Sequence, residues 1–209
     1  MTVSAASAAT LSDVLFRVEV QSDAGSGVFE ATADDGSWDG DVFTWVPSDN
    51  INVTDAVNQQ VLATVHADAT SLYIDADPIL GLNFAVSAGA SDTTFSISSP
   101  LLSFPAISSA VGRASAGVSI TDQNGDGATR IGGYASGTES YRADYNGFVP
   151  SGTLLQTILD NYAAGPFDTS TSNEEYPSGG GFVPLAGAVS SMSSQFQFEL
   201  SALDSAAGT

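Results

Sequence analysis

The stretch Ser191-Met192-Ser193-Ser194-Gln195-Phe196-Gln197-Phe198-Glu199-Leu200-Ser201-Ala202 changes character at almost every step. Met192, Ser194, Phe196, Phe198, Leu200 and Ala202 fall on one side, and Ser193, Gln195, Gln197, Glu199 and Ser201 on the other. Successive side chains of a strand point to opposite faces, so this pattern specifies a strand with one buried face.

The same period recurs outward from it. Val14, Phe16, Val18 and Val20 alternate with Leu15, Arg17, Glu19 and Gln21, and residues 23–27 read as a turn. A strand over 28–33, an acidic loop over 34–41 and a returning strand over 42–46, ended by Pro47, predict a hairpin. Further short strands are expected near 51–53, 60–66, 71–75, 80–87 and 93–98, separated by Asp, Gly, Asn, Ser or Pro clusters. Ala114, Ala116, Val118 and Ile120 form one face of a small-residue strand suited to close sheet contact. Helical spacing occurs once, at Leu154, Leu155, Ile158, Leu159 and Tyr162, with Ser151 as a candidate cap. Residues 167–181 read as a polar loop. The expected fold is all-β, a sandwich or jelly-roll-like pair of antiparallel sheets with one short helix near 153–162. Residues 1–12 read as a flexible tail or signal remnant and 13–209 as a single β domain.

Composition narrows function. The chain carries 24 acidic residues against 4 basic ones, a formal net charge of −20, and no lysine. Nucleic acid is excluded as a partner and anionic membranes are poor ones, because both are held by Lys and Arg. No apolar stretch approaches the ~20 residues that span a bilayer, so direct membrane insertion is not expected. With no Cys, no Lys and the single His66, disulfides, zinc sites, thiol chemistry and Schiff bases are closed. His66 precedes Asp68 but has no G-x-S-x-G partner, and reads as a solvent-facing strand residue. Phe167-Asp168-Thr169-Ser170 approaches an aspartic-protease motif without its Gly or a second copy. No catalytic residue is assigned, and an enzyme is not expected.

The most specific local pattern is Asp122-Gln123-Asn124-Gly125-Asp126-Gly127. A D-x-[DN]-x-[DN]-G run can bring the oxygens of Asp122, Asn124 and Asp126 to one Ca2+ ion, but Gly133 occupies the position of an EF-hand's closing Glu. Two readings stand: a calcium loop borrowing Glu139 or Asp144, and an Asx-rich hairpin turn. Asp34, Asp35, Asp39 and Asp41 are a second cation candidate, against a solvated loop. Trp38, Trp45, Tyr134, Tyr141 and Tyr145 are candidates for a sugar-stacking platform, against core packing.

Asn124-Gly125-Asp126-Gly127, Tyr145-Asn146-Gly147-Phe148 and the closing run 194–200 give the second half of the chain a resemblance to exported bacterial surface proteins of the PEP-CTERM class. The Pro-Glu-Pro signal, apolar helix and basic tail of that class are absent, so the chain reads as an ectodomain. The resemblance implies a protein that is secreted or at the cell surface, associated with envelope or matrix. The function expected is a structural or adhesive surface protein, self-assembling through strand pairing of 191–202, with itself or envelope and matrix components as partners. The alternative is a calcium-assisted carbohydrate-binding module with glycans as partners; a carboxylate hydrolase is third.

Overall fold

The computed structural model describes residues 10–75, 77–134 and 138–209, so most of the expected tail lies outside the described residues. Among the described residues the first paired segment is Thr10–Leu11, which pairs with Leu102 and Ser103.

Val189–Leu200 organises the first sheet. Alternate residues along it pair on both sides: Phe196 with Ile97 and Tyr141, Leu200 with Thr93 and Arg130, and Met192 with Leu102 and Tyr145. One edge of this strand therefore carries Thr93–Ser98 and Leu102–Ile107, and the other carries Ala128–Gly132 and Tyr141–Tyr145. The sheet continues from Thr93–Ser98 through Val14–Ser22 to Gly25–Thr32. The second sheet runs in the order Thr169–Tyr176, Ala114–Thr121, Ser205–Gly208, Ile79–Ala88, Ser71–Asp75, Val42–Trp45, Ser37–Asp39; Val61–Val65 joins Ile79–Ala88 and carries Ile51–Thr54. A separate two-stranded ribbon joins Val111–Gly112 to Val183–Pro184.

Every pairing is antiparallel, and the two sheets pack face to face as an all-β sandwich. The phenylalanines of the opening stretch face inward, where Phe84 of the second sheet meets Phe196 at 4.9 Å and Phe198 at 5.9 Å between ring centroids, and Phe95 stacks on Phe198 at 5.6 Å. A side chain at position 208 would lie 2.5 Å from the Phe84 ring, so Gly208 is what lets that ring reach across. The small-residue strand is confirmed, with Ala114, Ala116, Val118 and Ile120 all buried.

Four expectations need correction. The helix near 153–162 is absent: Thr153–Ile158 and Tyr162–Ala164 are strands, and the only helices among the described residues are the single turns Ala33–Asp35 and Ala67–Ala69. A bulge explains the misleading spacing, because Gln156 pairs with Ala143 and Leu154 with Asp144, which leaves Leu155 as an inserted residue. Leu159 then turns the chain at φ 71° with its side chain fully buried. Val42–Trp45 pairs with Ser37–Asp39 and Ser71–Asp75, not with the 28–33 segment. The expected loop over 167–181 contains the strand Thr169–Tyr176, whose polar residues give no alternation because it lies at a sheet edge with little burial. Leu15 is buried beside Phe16 because the register shifts between Val14 and Phe16, so both point inward.

Arg130, singled out by no pattern, is the largest fully buried side chain. It donates to Ser140 Oγ and to the carbonyls of Leu159 (3.2 Å) and Asp160 (2.6 Å), pinning the turn between Thr153–Ile158 and Tyr162–Ala164.

Candidate functional site

The run at 122–127 links Ala114–Thr121 of the second sheet to Ala128–Gly132 of the first. Asp122 is buried, and its carboxylate accepts hydrogen bonds from the amides of Gly125 (2.9 Å), Gly127 (3.1 Å) and Phe167 (2.5 Å). Gly125 and Gly127 have φ of 92° and 95°, the left-handed geometry that brings their amides around. Burial raises the Asp122 pKa, but the backbone hydrogen bonds from Phe167, Gly127 and Gly125 together outweigh it and hold the carboxyl below its ordinary value.

Asn124 stays exposed, with its side chain engaged within the chain: its Oδ1 accepts from the Asp126 amide (3.0 Å) and its Nδ2 donates to the Ala202 carbonyl (3.2 Å). The structure brings Asp122 and Asp126 together instead with Asp204, with one carboxylate oxygen of each within 4.8 Å of the others. Asp204 accepts from the Gln123 amide (3.2 Å) and from Ser201 Oγ (2.5 Å). Its pKa is raised, first by burial and further by the charges of Asp122 and Asp126. Asp204 lies 82 residues beyond Asp122, and no local spacing signals their meeting.

The other candidates disperse. Asp144 is bound in a two-armed ion pair to Arg142 (2.8 and 2.9 Å), and Glu139 accepts from Thr138 Oγ1. Asp35 caps its own short turn through the Thr32 amide, and Asp34, Asp39 and Asp41 stay exposed. Trp45, Tyr134, Tyr141 and Tyr145 are buried, which leaves Trp38 exposed by itself and no aromatic platform among them. His66 lies just past its strand and hydrogen bonds Ser87 Oγ at 2.7 Å, partly buried rather than facing solvent.

The second sheet's outer face offers a different site. Its register aligns Asn52, Thr64, Ser87, Ser205, Thr121 and Thr169 in one row across six strands. A second row sets Thr171 and Ser119 beside Ala207 and Ala85, and Asn83 hydrogen bonds Ser71 (3.0 Å). Side chains along these rows are short, and several bond each other, as in Ser119 with Thr171 (2.7 Å) and Thr121 with Thr169 (2.8 Å). An open trough of about 590 Å³ crosses this face, with Ala207 in its lining, polar groups from Ser71, Asn83, Ser119, Thr171 and Asn173, and the Ala67–Ala69 turn as a wall. Sequence patterning marks the outward positions but not their alignment across strands.

No family model matches this chain, and no curated protein matches it in sequence. None of the described helices is long and apolar enough to cross a membrane.

Proposed function

We propose that this protein is an exported adhesive domain of the cell surface or matrix, acting by binding, and that its ligand is a neutral polysaccharide laid along the trough on the outer face of the second sheet. The observation that carries the reading is the trough itself. Strands lie about 4.8 Å apart, so the floor between Thr169–Tyr176 and Ser71–Asp75 is ~19 Å wide. Short hydroxyls and amides there can donate to and accept from a chain of sugar hydroxyls, while flat alanines allow close approach. A neutral chain is favoured because the surface of a protein with net charge −20 repels anions.

This reading moves adhesion from a strand to a face. Val189–Leu200, the expected donor for strand pairing between copies, is bonded on both edges within its own chain, and lending it would remove the centre of a sheet. Calcium enters only as a clamp at Asp122, Asp126 and Asp204, holding the loop between the two sheets.

The test is retention on immobilised neutral polysaccharides, with and without calcium, for the wild type, Asn83→Ala, Asn173→Ala and Asp126→Ala. Retention should fall at least tenfold in the two asparagine variants. Calcium should raise the thermal midpoint of the wild type and leave that of Asp126→Ala unchanged. Undiminished retention in both asparagine variants would refute the trough as the site.

A further inference from the structure

Four arginines are the whole of this chain's fixed positive charge. Three are committed inside the fold: Arg17 to Glu19 and Glu30, Arg142 to Asp144, and Arg130 to Ser140 and two carbonyls. Arg113 is the exception. Among the described residues it forms no ion pair and no hydrogen bond, and its guanidinium lies over the Phe182 ring, 5.3 Å from the centroid.

Arg113 borders a pocket of about 360 Å³, which shares no lining residue with the trough and to which both sheets contribute. Phe104, Tyr141 and Met192 line it from the first sheet and Leu80 and Ala114 from the second, while the ribbon Val111–Gly112 with Leu185 covers it. Its rim holds Ile79, Ile107, Val111 and Phe182, all among the exposed large hydrophobic residues and between 40% and 59% exposed. Apolar residues gathered around an opening, on a surface otherwise crowded with carboxylates, mark a binding site more strongly than the same residues scattered would. The one carboxylate in the lining, Asp144, is already matched by Arg142. The volume lies at the lower end of ligand pockets and, at roughly 30 Å³ per non-hydrogen atom, holds about a dozen such atoms.

We propose that this pocket binds a small amphiphile, a saturated carboxylic acid with a tail of about ten carbons, the tail packed against Phe104, Leu185 and Met192 and the carboxylate paired with Arg113. The choice of an acid is the demanding part. The field of the whole molecule favours a cationic head, so an anion can be selected only by a local cation, and Arg113 is the one the fold leaves unpaired. An uncharged head would gain the tail contacts without the ion pair.

Calorimetry on the full chain with decanoate, decan-1-ol and decylammonium tests this, using the wild type, Arg113→Gln and Ala143→Leu, which narrows the pocket. Circular dichroism checks that the variants fold. Decanoate should bind saturably at one site, at least tenfold more tightly than either of the other two. Arg113→Gln should lose that preference and keep the weak alcohol binding, and Ala143→Leu should weaken both. Absence of saturable decanoate binding, equal affinity for the alcohol, or undiminished decanoate binding by Arg113→Gln would each overturn the proposal. Asn83→Ala should bind decanoate as the wild type does, so the trough and the pocket fail or stand separately.

Discussion

Asp55 shows how one carboxylate can fasten two hairpins. Its Oδ1 accepts from the amides of Val57 (3.0 Å) and Asn58 (2.9 Å), and its Oδ2 from that of Ser26 (3.1 Å), at the start of the second strand of the first hairpin. Hydrogen bonds from Asn58 and Val57, with that from Ser26, prevail over burial and hold its pKa below the ordinary value. The stability this contributes is therefore present in full above the unfolded pKa of about 3.9, and is lost as pH falls through the lower folded value. Asp55→Asn should have a lower urea midpoint than the wild type at neutral pH, and the gap should narrow as pH falls below the unfolded pKa and through the lower folded value. A constant gap across that range would mean that the carboxylate's charge contributes nothing. Asp55 went unremarked in the sequence because its meaning depends on Ser26, 29 residues away. Asp122 was legible because its partners Gly125 and Gly127 are its neighbours.

Among the elements, Val189–Leu200 concentrates the core. Phe198 lies against Phe84 and Phe95 with no exposure, so Phe198→Ala should cost about 3–5 kcal/mol by chemical denaturation, through lost burial and the cavity left behind. Glu199, next along the strand and exposed, should tolerate alanine to within about 0.5 kcal/mol. That contrast is the period-2 pattern restated as energy. It was readable wherever one face is buried and the ladder is unbroken. It failed at Leu155, where a bulged residue produced helical spacing, and at Thr169–Tyr176, where an edge strand buries too little to need apolar residues. The trough's Asn83 and Asn173 come from non-adjacent strands, so only the register brings them to one face.

For the molecule as a whole, charge dominates. With 24 carboxylates and 4 guanidiniums, three of those engaged within the fold, most acidic groups have no counter-charge and repel one another across the surface. Salt shortens the reach of that repulsion from about 30 Å at 0.01 M to about 3 Å at 1 M. The melting temperature should rise by several degrees over that range with sodium chloride, and a flat or falling response would show that repulsion does not limit stability. The placement of two late strands also bears on how the chain is made. Val189–Leu200 and Ser205–Gly208 stand in the interior of the two sheets, each with neighbours on both sides. A ribosome that has reached residue 188 has produced every flanking strand but neither centre, so the growing polypeptide cannot close this core until residues 189–208 have been made. Such long-range pairing is slow to form, and it leaves the flanking strands of the unfinished chain with exposed edges and apolar faces that a partner or chaperone must cover until the two centres arrive.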